Sequence, residues 1–476
     1  ELTTTPFYHP ILPLLVDKRL ARQAMPEVML PANLESYMDD ARRHLEQGVA
    51  KHKKVFGMQP KGMWPSEGSV CQEIISAIAD VGIKWIATDE EILACSSDGW
   101  VSRDGQGYLR NPEMLYRPWR VSDKGKQLQI IFRDHAMSDQ IGFHYQRFDA
   151  DHAADDFIGK LQAIGNATGG NAGHRPSLVN ITLDGENCWE YYPGGGVNFL
   201  RKLYHRIAKH PKVTAERVCD YLEKYPATDK ISHLFAGSWI QHNFAIWIGH
   251  PECNRAWDLL HDARAHFMKA AASGKKTKKQ IAQAQRELDI AEGSDWFWWF
   301  GDDHSSSQDA TFDRLFRQHL QNIYQCLGDE VPSVLTLPIS QGHVHRKLHT
   351  DPNGLLQVKI DGRHTYFEWI NAGHYACGKA TGAMAMAADS LLADLYFGFD
   401  IEKLYVRLDA REGTVADRLK DIDTLRLRFT DPAGFELLVS HPSWREPILQ
   451  LYQNDVPVAQ SNVSASADKI IELAVP

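Results

Sequence analysis

Cysteine is sparse and unpatterned in this chain: seven in 476 residues, at positions 71, 95, 188, 219, 253, 326 and 377. The count is odd and the spacing wide, with no Cys-x-x-Cys, no His-Glu-x-x-His and no Cys/His cluster at zinc spacing. That excludes a disulfide scaffold and the common zinc folds. Scattered thiols of this kind serve as small buried hydrophobes in a reducing compartment, so a cytoplasmic location is expected. A surplus of positive charge is missing too: 52 Lys and Arg face 61 Asp and Glu, a net charge of −9. Nucleic acid is therefore not the expected partner, because phosphates need a basic excess. No apolar run approaches the ~18 residues of a membrane span, so no membrane partner is expected. Gly (34) and Pro (22) stand at background levels and there is no internal repeat, which excludes collagen-like and low-complexity chains. Residues 1–8 lack a Met, a basic start and an apolar stretch, so they are no signal peptide.

What is present is ordinary globular material, 43% hydrophobic and 24% charged, with length for about three domains at ~150 residues each. Residues 1–249 alternate apolar runs with amphipathic helices. Asn33 is placed to cap a helix carrying Met38, Ala41, Leu45 and Val49 on one face. Strands are expected at 62–65, 84–88, 115–121, 128–133 and 177–183, with helices at 69–81 and 153–164. Such alternation implies a parallel α/β sheet or barrel. Residues 250–335 read as helices, and the run Lys275-Lys276-Thr277-Lys278-Lys279 between two of them as a solvated connector. From 336 to 476 apolar residues alternate with polar ones (Leu356, Val358, Ile360; Leu404, Val406, Leu408; Leu425, Leu427, Phe429), which predicts an antiparallel sandwich.

Carboxylates stand where strands end. Glu67 follows 62–65, Asp134 follows 128–133 and Asp184 follows 177–183. In parallel β/α folds the C-terminal strand ends carry the chemistry, so three acids there point to one cleft. Each is equally suited to cap a helix or close a turn. Around them lie Trp64, Trp189, Tyr191, Tyr192, Trp239, Trp247, Trp296, Trp298 and Trp299. Flat aromatic faces suit the apolar face of a sugar ring and carboxylates suit its hydroxyls, though some of these rings belong to the core.

Gly62-Met-Trp-Pro-Ser-Glu67-Gly, Thr182-Leu-Asp184-Gly-Glu-Asn187 and Asp295-Trp-Phe-Trp-Trp-Phe-Gly-Asp302-Asp303-His304 resemble motifs of glycoside hydrolase family 57, in that family's order. Glu1-Leu-Thr-Thr-Thr-Pro-Phe-Tyr-His-Pro10 resembles its second motif, and Arg133-Asp134-His135 through Gly142-Phe143 its amylopullulanase branch. The likeness covers residues 1 to about 340. It implies an incomplete seven-stranded β/α barrel (1–249), a helical region completing the active-site wall (250–335) and a β-rich C-terminal domain (336–476). The family's first motif, His-x-Pro, is absent, so the chain is expected to be an internal piece whose partner is the missing N-terminal segment.

The resemblance further implies retaining chemistry on α-linked glucose polymers, with Glu67 as nucleophile and Asp184 as acid/base. Asp184 then has to be protonated at rest, its pKa raised by burial against aromatics such as Trp189 and by Glu67 nearby. Asp134, Glu186 and Asp303 are expected to bind sugar hydroxyls, His135 and His304 to donate to them, and Trp64, Trp189, Trp239 and Trp296 to line an extended cleft. No nucleotide, metal or organic cofactor is expected for the chemistry. Two readings stay open beside hydrolysis: a 4-α-glucanotransferase or branching enzyme using the same residues, and a non-catalytic α-glucan-binding protein. A metal-dependent deacetylase on a related barrel would need a His/Asp cluster, of which Asp302-Asp303-His304 is one fragment.

Overall fold

The structure, a computed structural model, describes residues 2–97, 101–104, 108–169, 175–185, 189–301, 308–340, 349–363, 367–369, 371–377, 391–411, 413–430, 432–459 and 461–476. The chain divides into two compact units, residues 1–341 and 342–476. The first is mixed α/β around a four-stranded sheet in the order β1 (Gly62–Met63), β2 (Trp85–Asp89), β4 (Lys126–Arg133), β3 (Trp119–Asp123). Strands β1, β2 and β4 run parallel. Single parallel bridges extend this array, Thr4 beside Met63 and Asn180 beside Arg133. Strand β2 is buried at every residue, as expected of a central strand covered on both faces.

Two expectations for this sheet change. The apolar stretch 115–121 is not one parallel strand. A short helix at Pro112–Leu115 precedes β3, which pairs antiparallel with β4. The cause is local: Lys124 and Gly125 both take positive φ (46° and 77°), the geometry of a two-residue hairpin turn between Asp123 and Lys126. Residues 177–183 contribute the bridge at Asn180 rather than a ladder. The described residues thus show an open sheet with parallel extensions.

Helices cover the sheet. The one expected after Asn33 spans Met38–Phe56, with Ala41, Leu45 and Val49 buried. Asn33 does not cap it; its side chain instead donates to Asp258, in a helix over 200 residues further along the chain. Pro251–Ala272, Lys278–Ala291 and Asp309–Leu327 form the helical part and belong to this same unit. Thr277 and Gln280 make a capping box that starts the second of these, which explains the exposed lysine run as a connector.

The second unit is antiparallel. One sheet has the order β12 (Val456–Pro457), β11 (Ile448–Gln453), β10 (Phe435–Ser440), β9 (Thr424–Arg428). The other runs β13 (Ser464–Ala467), β14 (Ile470–Val475), β8 (Leu404–Ala410), β7 (Leu392–Phe399), β6 (Gly373–Ala376), β5 (His349–Thr350). Val406, Leu408, Ile471 and Leu473 from the second pack with Leu437, Val439 and Leu451 from the first in one core. Leu356, Val358 and Ile360 alternate without forming a strand, and Leu356 is tied by its N–H to the Phe399 carbonyl.

Candidate active site

Because β1, β2, β4 and the Asn180 segment run parallel, their C-terminal ends face one way. Glu67, Asp89–Glu90, Asp134–His135 and Asp184 follow those ends in turn. Glu67 sits in a turn that its own backbone strains, with φ 55° and ψ 29°, and Gly68 next to it also takes positive φ. A left-handed non-glycine costs on the order of 1–3 kcal/mol and persists only where surroundings impose it. Here the Glu67 carbonyl accepts from the Trp239 backbone N–H, and the Gly68 carbonyl from the Thr88 hydroxyl. A Cβ at Gly68 would stand 3.0 Å from the Trp64 ring, a tight contact added to the strain of its positive φ.

The Glu67 side chain, 19% exposed, is held from two sides. Its Oε2 accepts from Trp239 Nε1 at 2.8 Å, and its Oε1 lies 3.9 Å from His9 Nδ1. His9 itself adopts a left-handed φ of 56° and meets the Ser294 hydroxyl at 2.9 Å. In the sequence it stands only within a motif; the fold brings it to Ser294, 285 positions away, and to Glu67. Trp64 packs edge-to-face on Trp239 with centroids 5.6 Å apart.

Beneath this turn lies a charged floor. Arg133, with 6% of its side chain exposed, reaches Asp89 (3.0 Å), Asp139 (2.6 Å) and the Thr182 carbonyl (3.1 Å), and its guanidinium stands 5.1 Å from the Trp239 ring centroid. His135 bridges Asp139 (2.8 Å) and Asp89 (3.6 Å). Hydrogen bonding to Asp139 first and Asp89 second raises its pKa to about 10, so it is an imidazolium at neutral pH. Arg103 pairs with Glu90 and Asp134. Burial pushes Glu90 up, against the opposing pull of Arg103.

These contacts revise several expectations. Asp134 is 1% exposed and caps the helix His135–Asp139, accepting from Met137 N–H, Arg103 and the Tyr116 hydroxyl. It is thus a buried structural acid with no surface for sugar hydroxyls. Trp239 spends its N–H on Glu67 and a ring face on Arg133, which makes it a support for the carboxylate more than an open platform. Trp189 packs on Tyr192 (5.3 Å) and closely over Gly196, where a Cβ would meet its ring at 2.6 Å and the φ of 74° also favours glycine. Trp296 donates to the Ile290 carbonyl and, with His9 and Asp295, lines a cavity of about 630 Å³. Trp247 and Trp298 are core, while Tyr191 is exposed. Asp184 is half-buried two residues beyond the carbonyl that Arg133 holds. Glu186, Asp303 and His304 lie outside the described residues.

Among the described residues, His44, Asp289 and Glu292 are the group whose ligand atoms lie near enough to hold a cation, all buried and within 4.8 Å of one another. Arg43 already binds Asp289 and Asp40, Arg264 binds Asp40, and Lys18 is buried nearby. Arg43 and Arg264 thus already pair with Asp40 and Asp289, burial raises the pKa of Glu292, and a divalent ion would add a buried charge with no anion left to offset it.

Residues 1–232 match the family model described as Glycosyl hydrolase family 57. No curated protein matches the sequence. Among solved structures, a branching enzyme of this family from Thermococcus kodakaraensis is similar at 16% identity and a TM-score of 0.51, over 71% of this chain and 68% of that one. An α-amylase from Thermotoga maritima is matched at 15% identity and a TM-score of 0.49, over 71% and 69% of the two chains. A 4-α-glucanotransferase from Thermococcus litoralis is matched at 11% identity and 0.47, over 100% and 85%. At such identities the first of these speaks for the fold alone. No described helix is long and apolar enough to cross a membrane.

Proposed function

Since the chain belongs to glycosyl hydrolase family 57 through residues 1–232, we propose that it acts on α-linked glucans by double displacement, with Glu67 as nucleophile and Asp184 as acid/base. The observation that carries this reading is the treatment of Glu67: a strained strand-end turn holds its carboxylate against an indole N–H, beside an imidazole. A hydrogen bond to the ionised form favours that form, which a nucleophile needs. Asp184 follows the segment joined to β4 at Asn180, so the parallel array carries both acids at ends facing one way. In the first step Glu67 attacks the anomeric carbon while Asp184 gives its proton to the departing glycosidic oxygen. In the second, Asp184 takes a proton from the incoming hydroxyl as the glycosyl–Glu67 bond breaks. Retention requires the two carboxyl groups to be roughly 5–5.5 Å apart, against 6.5–9.5 Å for inversion.

In this reading residues 1–249 correspond to the family's incomplete barrel and 250–335 to the wall that brings Ser294 to His9 beside Glu67, with Trp296 in a cavity that shares His9 but is not lined by Glu67 or Asp184. Sugar binding falls to Trp64, Trp296, Trp189 and the cationic His135. The incoming hydroxyl comes from water in a hydrolase and from a sugar in a transferase. Incubation with maltooligosaccharides, soluble starch and pullulan, with reducing ends and chain lengths both measured, tests the reading. New reducing ends indicate hydrolysis, redistributed chain lengths at constant reducing ends indicate transfer, and neither, with starch still bound, leaves a glucan-binding protein.

A further inference from the structure

One buried guanidinium touches the supports of both carboxylates. Arg133 lies in β4 between the turn that carries Glu67 and the segment that leads to Asp184. Its Nε donates to the Thr182 carbonyl at 3.1 Å, two residues before Asp184. Its plane stands over the Trp239 ring, whose Nε1 donates to Glu67 Oε2 at 2.8 Å. Asp89 and Asp139 grip the two remaining nitrogens at 3.0 and 2.6 Å, so the group cannot turn without breaking charge-assisted bonds. A helix cap or a core ion pair requires only the Asp89 and Asp139 contacts. The other two serve the site.

We propose that Arg133 is the positioning residue that couples Glu67 to Asp184, and that through Trp239 it also holds Glu67 in its ionised form. The proposal rests on the roles given to those acids above. Two effects act on Glu67. The guanidinium draws electron density from the indole face, which strengthens the indole N–H as a donor to the carboxylate. It also adds a fixed positive charge in a site that water reaches poorly. Among the described residues, the titratable groups facing these include His9 on the Glu67 side, and His135, which closes a ring with Asp89 and Asp139 on the Arg133 side. His135 stays cationic to about pH 10, so near neutrality it supplies a constant background. Lysine cannot replace arginine here: one ammonium does not make a planar fork to two acids, donate sideways to a carbonyl and stack on a ring at once.

The test reads Glu67 without using activity. In protein labelled with ¹⁵N-tryptophan, the Trp239 indole resonance is the one lost in Trp239→Phe, and its shift with pH reports ionisation of the carboxylate it touches. Glu67→Gln should abolish that titration. Arg133→Lys should move its midpoint to higher pH, and in a glucan assay should lower kcat roughly 10–100-fold, the scale expected of a misplaced reacting group, with a much smaller change in KM. Arg133→Lys and Trp239→Phe should also be non-additive in kcat. An unmoved indole midpoint, or additive losses with the acid limb of kcat/KM unshifted, would overturn the proposal and leave Arg133 a structural ion pair. If Arg133→Lys does not fold, Asp139→Glu keeps the charge while displacing one arm of the fork and should shift the midpoint the same way by less; no shift there overturns the proposal equally. Failure of the functional reading looks different, because wild-type protein inactive on every glucan can still show or lack the indole shift.

Discussion

Two buried charge networks in the first unit are built from similar residues and do different things. At the strand ends, Arg133, Arg103 and His135 face Asp89, Glu90, Asp134 and Asp139, and Arg133 links this set to the Thr182 carbonyl before Asp184 and to the Trp239 ring that supports Glu67. Between the helices, Lys18, Arg43 and Arg264 face Asp40, Asp289 and Glu292, with His44 among them. There, His44 Nδ1 meets the Phe7 carbonyl at 2.5 Å, and a carbonyl can only accept. His44 Nε2 and Glu292 Oε2 are hydrogen-bonded at 2.8 Å. Burial first, then Asp40, pushes the Glu292 pKa up to about 7, against the opposing pull of His44. The helical network thus clamps Phe7 to the segment before Ser294. The comparison teaches that composition does not distinguish a site from a structural tie; the groups at the far end of each link do.

The comparison breaks first at the carboxylates. Glu67→Gln should lower turnover by about 10⁴-fold or more, as loss of a nucleophile does elsewhere, while thermal unfolding is little altered. A folded Glu67→Gln protein with normal activity would remove the strand-end network's purpose. Asp184→Asn should cost roughly 10²–10⁴-fold in kcat, most with poor leaving groups, and azide should restore part of it by attacking the intermediate without a base.

In the helical network the expected loss is of stability. Glu292→Ala leaves His44 Nε2 buried without its partner, at a cost of about 1–3 kcal/mol, read as a fall in urea midpoint, with kcat of the folded fraction little changed. Metal chelation sharpens the same contrast: dialysis against EDTA should change neither the midpoint nor activity, since Arg43 and Arg264 already pair with Asp40 and Asp289.

The pH dependence separates the two networks further. Glu292 titrates near 7 when folded and near 4.5 otherwise, so its contribution to stability is complete below about 4.5 and lost as pH rises through about 7. His135, raised from 6.5 to about 10, contributes fully below about 6.5 and loses that contribution only as pH passes through about 10. Lys18, lowered to about 8 by burial, has the opposite sign and recovers stability between about 8 and 10.5. Melting curves should therefore show Glu292→Gln flattening the slope below pH 7 and His135→Gln flattening it above. Identical pH profiles for wild type and both variants would contradict these assignments. The smallest effect belongs to Trp296→Ala, which should raise KM roughly 3–10-fold, the equivalent of 0.5–1.5 kcal/mol of aromatic contact, with kcat held.

Much of the site was legible in the chain because strand ends announce themselves. An apolar run followed by an acid, repeated at 62–67, 128–134 and 177–184, is a local pattern, and the family's motifs sharpen it. The helices at Met38–Phe56, Lys278–Ala291 and Asp309–Leu327 were legible for the same reason, since their apolar spacing lies within one segment. The antiparallel pairing of the strand expected at 115–121 is not legible, because the apolar pattern of a strand does not reveal which way it will pair.

What the amino-acid order determined by itself is which residue types stand at which strand ends, and therefore the family and the kind of chemistry to look for. Only the tertiary structure decided which acids are available. Asp134 and Glu67 both follow a strand, yet Asp134 is enclosed by Tyr116, Arg103 and a helix N-terminus, while Glu67 is left partly open between Trp239 and His9. The physical reason is desolvation. A carboxylate's role depends on how many donors and how much water reach it, and the side-chain donors here come from residues 18 to 172 positions away, a distance over which no local pattern carries information.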